Sequence, residues 1–415
     1  MNAQAALFKT MLPWVLAILV LLLLPHILVA NSTIMIMSQM AITIIFALSY
    51  NMLLGQAGML SFGHAIYLGF GGFMCIHVMN YVQAAGIPIP LPVLPLFAGL
   101  FSMGMAMVIG AFSTRRSGVV FTMISLGVVE LVATYSIIGY SFFRGGGVGG
   151  DRTLGVAFFG VEFLRQIEVY YLITVWMIGS VGLMYLFTLT PMGRMANAVR
   201  DNPERAEFLG YSARWVRFYS FCAAGFFAGV AGGLFALNYE LATAENLSVE
   251  DSGTILMIAF LGGIGVFYGP ILGAVLFTLL QTVLSLHTDL WQLYVGVLFL
   301  ATVMFFPSGL AGVLMMHGAA IRQLGWTRLR SPYVRTVVPA VIGTLGLCAL
   351  VELVFHSRHI ARGGQEMTLF WITFQTSNPA PWVIAAGVAI AGIWISKRNV
   401  PDLREVWQAA RSSRF

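Results

Sequence analysis

The chain carries little charge. Asp, Glu, Lys and Arg make up 9% of its 415 residues, where soluble domains carry about 25%. Water is therefore not the main solvent for this sequence. Lysine is almost missing: Lys9 and Lys397 are the two present, and neither follows a glycine. A phosphate-binding loop needs Gly-Lys before its Ser or Thr so that the ammonium reaches phosphate. No nucleotide site is encoded, so any use of ATP requires another subunit. G-x-S-x-G and H-E-x-x-H are absent as well, and with no reactive constellation the chain does not read as an enzyme. Three cysteines, Cys75, Cys222 and Cys348, all fall in apolar runs, which excludes a disulfide or zinc framework. His356 and His359 have ligand-like spacing, but no Cys, Asp or Glu completes a set. Neither a metal site nor a cofactor site is expected in this chain.

What is present is hydrophobic. Apolar residues make up 59% of the sequence, and the mean hydropathy is +0.87. Runs long enough for a membrane helix, about 20 residues, recur from end to end. In hydrocarbon each backbone polar group must be satisfied internally, so each run is read as a helix. A β-barrel would show alternating segments of roughly 10 residues, and runs such as 11–30 are continuous. The sequence predicts an all-α polytopic membrane protein with roughly 10–12 transmembrane or broken helices. Spans are expected near 11–30, 34–54, 65–82, 93–112, 118–139, 168–190, 216–240, 252–268, 271–287, 290–306, 336–356 and 381–396. The first run is longer than a signal-peptide core and lacks a small-residue cleavage site, so it reads as a retained span.

The formal net charge of +6 reports topology rather than nucleic-acid binding. With the N-terminus inside and spans alternating, 17 Lys and Arg fall inside and 5 outside. That is the bias of the positive-inside rule. Both termini are then cytoplasmic.

Two glycine-rich stretches break the apolar pattern: 55–72 (GQAGMLSFGHAIYLGFGG) and 261–273 (LGGIGVFYGPILG). Non-helical backbone at membrane depth persists only where protein buries it or a watery cavity adjoins it. Transporters place solute contacts at such breaks. The candidate pathway residues are Gly55, Gln56, Gly58, Ser61, Gly63, His64, Gly262, Gly263 and Gly265. Polar Gln56, Ser61 and His64 favour a functional reading of the first stretch, although a lone histidine there is as readily a satisfied core residue. Gly225, Gly229 and Gly233 have the four-residue spacing of close helix crossing. Glu130 stands deep in an apolar run, where a carboxyl faces the bundle interior or a water-filled path. Contact with solute and a neutral, hydrogen-bonded carboxyl between helices both remain open.

Segment 191–217 is basic. Asn202 is a cap and Pro203 a first-position residue, Glu204 suits the helix dipole, and Gly210 is a stop. A helix this short is unstable alone in water, so it needs something to dock on: a protein or anionic lipid. A second basic segment, 313–335, reads as a cytoplasmic interfacial stretch between a core over 1–312 and an extension over 336–415 that holds two spans and a basic tail.

LLGQAGMLSFGHAIYLGFGGF at 53–73 closely resembles the signature of the branched-chain amino-acid ABC permeases, in particular the M-type subunit of the Liv system. GVVFTMISLGVVE at 118–130, AVRDNPERAEFLGYS at 198–212, SGTILMIAFLGGIGVFYGPILGA at 252–274 and FPSGLAG at 306–312 are similar to further stretches of that family, in its order. The resemblance implies a type II ABC importer-like permease core in a bacterial inner membrane. It implies a second permease subunit, two cytosolic ABC ATPases that bind the ATP and Mg, and a periplasmic substrate-binding protein. It also implies that Arg200, Asn202, Pro203, Glu204, Arg205, Ala206 and Gly210 couple to an ATPase. A binding protein would dock near 140–168 and 241–251. Related systems carry branched-chain or other amino acids, or urea and short amides. A secondary transporter and a passive channel are the rivals from other classes. The family pattern ends near 312, and the remaining chain is a departure from it: a peripheral hairpin, a partner site or a fusion remnant.

Overall fold

The computed structural model describes Trp14 and residues 18–154, 160–359, 366–369, 372–375 and 378–412. Lys9, Arg362 and Arg414 of the charge count lie outside these residues, as does most of the first half of the expected span 11–30. The chain forms two compact units that divide between Gly312 and Val313.

The first unit begins with α1 (Ile18–Ile27) and α2 (Asn31–Asn51), which runs on through a π-turn at Met52–Gln56. Then follow α3 (Ala65–Ala85), α4 (Leu94–Ser113), α5 (Val119–Ile138) and α6 (Gln166–Leu189). Two short helices, α7 (Pro191–Asp201) and α8 (Pro203–Phe208), lead into α9 (Ala213–Tyr239). The unit continues through α10 (Val249–Gly262), α11 (Gly269–Ser285) and α12 (Trp291–Phe305). Next, α13 (Gly309–Leu324) crosses the boundary between the units.

Among the described residues, eight helices are long and apolar enough to cross a membrane. The expected spans over 252–306 become shorter helices. At 1.5 Å per residue, a 14-residue helix such as α10 rises only about 21 Å, less than the roughly 30 Å hydrocarbon core. Instead α10 and α11 fold back on each other: a Cβ on Gly262 would meet Gly269 O at 2.0 Å, and one on Gly273 would meet Ile258 O at 2.2 Å. A hairpin that leaves on the side it entered has the same parity as two full spans. For this pair the charge count is therefore unaffected.

α9 is the central helix, with 83% of its apolar window buried. Lipid gives apolar helices no hydrophobic reason to associate, so close packing of small residues must hold them. α9 supplies these on two faces. Gly225, Gly229 and Gly233 meet Ala106, Ser102 and Ala98 of α4, while Gly232 lies against Leu68 O of α3. The four-residue glycine spacing is thus a packing seam.

One small sheet ties distant loops together. β1 (Gly147–Gly149) pairs antiparallel with β2 (Leu241–Thr243), with Val148 opposite Ala242. Arg152 clamps it: its guanidinium donates to Leu237 O and Asn238 O, carbonyls in the last turn of α9, and pairs with Glu240 at 3.2 Å. Asn80 and Gln83, in the last turns of α3, donate to Gly149 O and Asp151 O. Exposed Asp151 accepts from the hydroxyl and N–H of Thr153, which hold its carboxyl below the ordinary value.

The second unit contains α14 (Trp326–His359) and α15 (Pro379–Ser412), separated in sequence by the two-stranded β3 (Glu366–Leu369) and β4 (Ile372–Gln375). The helices pack antiparallel through glycine: Gly343 against Gly392, and Gly346 against Ala389. The segment expected as one interfacial stretch, 313–335, is divided between α13 and the start of α14, because Gly325 (φ +74°) interrupts it.

Candidate functional site

α2 cannot continue past Gly58, whose φ of +67° is the left-handed conformation that glycine adopts without strain. The chain runs non-helically from here to α3, and each freed backbone group needs a partner. Four helices supply them. From α2, Tyr50 Oη donates to Ser61 O at 3.1 Å. From α5, Thr122 Oγ1 donates to Leu60 O at 3.0 Å, and Ser125 Oγ accepts from Phe62 N at 3.1 Å. From α10, Ser252 Oγ accepts from Ala65 N at 3.0 Å and so caps α3. From α7, the Arg200 guanidinium donates to Gly55 O.

The sequence suggested that freed groups would meet a solute. In this conformation the protein itself satisfies these five groups, and the residues that do so (Thr122, Ser125, Ser252 and Arg200 among them) are not recognisable from sequence as partners of this stretch. Hydroxyl side chains in apolar helices were the available signal. Ser61 and His64 are buried to 1% exposure, and Gln56 to 7%. Gly63 is buried against Ser125 O. Gly58 is exposed, and an added Cβ there would strike Arg200 Cγ.

His64 stands in an aromatic box of Phe46, Tyr50 and Tyr67, stacked on Phe46 at 5.4 Å. Its Nε2 lies 2.9 Å from Ser49 Oγ. Ser49 gives its single proton to Phe46 O, so His64 Nε2 is the donor in that pair. Among the described residues Nδ1 is buried without a partner, as are Gln56 Oε1 and Asn51 Oδ1.

The second glycine-rich stretch touches the first. A Cβ on Gly55 would lie 2.7 Å from Ile264 O, so the tip of the α10–α11 hairpin rests on the end of α2. Gly262 and Gly263 are buried in backbone contacts with Gly269 and Ser308, whereas Gly265 is exposed with nothing near it. Gly55 is therefore where both breaks and α7 meet.

The capping signals at 202–210 are all used. Asn202 Oδ1 accepts from Arg205 N at 3.0 Å, Pro203 opens α8, Glu204 lies in its first turn, and Gly210 turns the chain at φ +86°. Ala206 is buried, and Arg205 and Gly210 are exposed. Beside them Phe208 is 91% exposed and Leu209 66%, an apolar patch to which the sequence gives no pointer.

Glu130 lies on the exposed face of α5, in line with Met123, Gly127 and Leu131. It has no hydrogen-bond or ion-pair partner among the described residues, so it is not the carboxyl between two helices of this chain that one of the two alternatives required. Segments 140–168 and 241–251, named separately in the sequence, are joined by β1 and β2; residues 155–159 lie outside the described residues. Among the described residues no group of three or more His, Cys, Asp or Glu is placed to hold a metal ion, and the side chain of His359 lies outside them.

Residues 32–306 match the family described as "Branched-chain amino acid transport system / permease component". The chain is 26% identical over 322 residues to the high-affinity branched-chain amino acid transport system permease protein LivM of Escherichia coli (strain K12), covering 71% of this chain and 73% of that one. Its counterpart from Salmonella typhimurium (strain LT2) is also 26% identical, over 72% and 74% of the two chains. The autoinducer 2 import system permease protein LsrC of Klebsiella pneumoniae is 30% identical over 33% of this chain and 42% of its own. No solved structure matches the chain. With eight helices among the described residues long and apolar enough to cross a membrane, and a match over most of its length, this multi-pass membrane protein belongs to the family of permease components of branched-chain amino acid transport systems.

Proposed function

We propose that the chain is the permease subunit of an ATP-driven importer for branched-chain or other small amino acids, working with a second permease, two cytosolic ATPases and a periplasmic binding protein. The observation that carries this reading is the convergence at Gly55. Arg200, one residue before the α7–α8 junction, holds the end of α2 just where the α10–α11 hairpin rests. A helix displaced from outside the membrane thereby acts directly on the two breaks.

Phe208 and Leu209 are the apolar contacts an ATPase would cover, with Arg205 beside them at the rim. Glu130 faces the second permease across the solute path, because a carboxyl toward lipid costs at least about 2.5 kcal/mol on insertion scales. The surface joined by β1 and β2 receives the loaded binding protein. The orientation with both termini cytoplasmic fits this arrangement: the arginine-rich α7–α8 segment meets one end of α2, while the loops tied by β1 and β2 lie at the opposite end of α3.

The test is reconstitution of the full complex in proteoliposomes. Leucine uptake that requires ATP, the ATPases and the loaded binding protein is expected. Uptake that follows the membrane potential with ATP held constant would make the chain a secondary carrier. Flux through this chain alone without ATP would make it a channel. Uptake of urea or short amides, without amino acids, would move it to another substrate class.

A further inference from the structure

The second unit gathers positive charge at one end of the α14–α15 hairpin. There Asn399 Nδ2 donates to Arg335 O at 3.0 Å, and Thr336 Oγ1 donates to Asn399 O at 3.2 Å. These bonds set Arg335 of α14 level with Lys397 and Arg398 of α15. Arg330 and Arg404 lie further out on the two helices, by about 7.5 Å at 1.5 Å per residue. All five cations are exposed, and among the described residues none of them forms an ion pair. Asp402 is the one acidic side chain described in this band.

Helical spacing continues each arginine into an apolar stripe. On α14, Arg335 is followed by Val338, Ile342 and Leu345; on α15, Ile390 and Trp394 lead to Arg398, and all of these are exposed. The Arg398 guanidinium lies 5.7 Å from the centroid of the Trp394 ring. Trp belongs at the boundary between membrane and water. From Arg335 to Leu345 the helix rises about 15 Å, half of the roughly 30 Å hydrocarbon core. An apolar stripe one leaflet deep that ends in cations fits a molecule with acyl chains and an anionic head.

Membrane topology demands a sign bias between the two sides, counted loop by loop. It does not require unpaired cations from two helices distant in sequence to share one level. Here the helices touch through their backbones, since a Cβ on Gly392 would lie 2.5 Å from Gly343 Cα. Four of the five cations are arginine, whose planar fork of N–H donors matches phosphate oxygens in pairs. A soluble polyanion would use the cations and leave the stripes idle.

We propose that this end of the hairpin binds an anionic phospholipid, its phosphodiester head on Arg335, Lys397 and Arg398 and its acyl chains along the two stripes. The extension beyond the permease core is thereby a lipid-binding element, whatever solute the core carries.

The experiment reconstitutes the full chain in vesicles holding equal amounts of phosphatidylglycerol and phosphatidylcholine with matched acyl chains. The protein is extracted in mild detergent, and the lipid that stays bound is quantified by mass spectrometry. Phosphatidylglycerol should be retained at least tenfold over phosphatidylcholine. Arg335→Gln with Arg398→Gln should cut this preference at least threefold, and R335K with R398K should keep part of it. Arg115→Gln with Arg116→Gln, which removes two exposed cations at the end of α4, should leave it unchanged. Equal retention of the two lipids by the unaltered chain would overturn the proposal. So would an unchanged preference in R335Q/R398Q, or an equal loss in both double variants, which would leave only a general attraction to positive charge. Release of the bound lipid by excess inorganic phosphate would overturn it too, because a free anion would then suffice. Should R335Q/R398Q fail to insert, Arg398→Gln alone decides and must lower the preference.

Discussion

The Arg200 guanidinium donates a hydrogen bond to the main-chain oxygen of Gly55, 145 positions earlier in the chain. The same arginine packs its Cγ over Gly58, where no β-carbon would fit, and pairs with Asp201 at its exposed end. Both its head and its stem are thus engaged with the first break. By sequence Arg200 and Arg205 are two equivalent positive charges on a docking segment. Both are exposed, but the structure gives them different tasks, since the Arg200 guanidinium reaches Gly55 O while the Arg205 side chain makes no ion pair or hydrogen bond among the described residues.

Arg200→Ala should therefore lower leucine uptake at least tenfold while the ATPases still co-purify with the complex. A hydrogen bond from a charged group contributes about 1.5–3 kcal/mol, enough to uncouple α7 from α2 without unfolding either. Arg200→Lys should recover part of the rate, because an ammonium can donate to one carbonyl but lacks the planar fork. Unchanged uptake in R200A would show that motion passes by another route.

Phe208→Asp should abolish co-purification of the ATPases and leave insertion of this chain intact. Phe208 is almost fully exposed, so the isolated permease loses no packing. Arg205→Glu should weaken the same association more mildly, as expected for a charge at the rim of an interface. Pull-down from solubilised membranes reads both, and normal ATPase recovery with F208D would remove the docking role.

Gly232→Ala should lower the melting temperature of the purified protein. The added β-carbon would lie 1.8 Å from Leu68 O, a backbone atom that cannot swing away. Overpacking of this kind costs typically 1–3 kcal/mol. Gly179→Ala in α6 is the matched control: nothing lies within 4 Å of its β-carbon, and alanine is the better helix former by roughly 0.5–1 kcal/mol. Equal melting of the two variants would contradict the close α3–α9 crossing.

Ser252→Ala should destabilise the protein by about 1–3 kcal/mol, the cost of a buried donor left unmet. Ser252 caps α3 from 187 positions away by accepting from Ala65 N. Thermal unfolding in detergent reads the change. Ser252→Thr keeps the hydroxyl and should lose less.

Much of the architecture is legible in the amino-acid sequence. The spans near 65–82, 93–112, 118–139, 168–190 and 216–240 correspond to α3, α4, α5, α6 and α9, because hydropathy over about 20 residues is a local property. The caps at Asn202, Pro203 and Gly210 are local too. The three short helices α10, α11 and α12 are harder to read. Their hydropathy equals that of full spans, and whether a glycine pair lets a helix cross or fold back depends on what it packs against. The exposure of Phe208 is equally hidden, as an apolar residue beside a membrane helix gives no sign of facing outward.

The sequence by itself determined that this chain lives in a membrane, that it is helical, and where its backbone must break. Each of these follows from what a residue and its near neighbours can do in lipid. Only the tertiary structure decided that the first break is met by Thr122, Ser125, Ser252 and Arg200, and that the second break meets it at Gly55. Hydrogen bonds act over about 3 Å in space but join residues up to 187 positions apart here, and no local pattern carries that pairing.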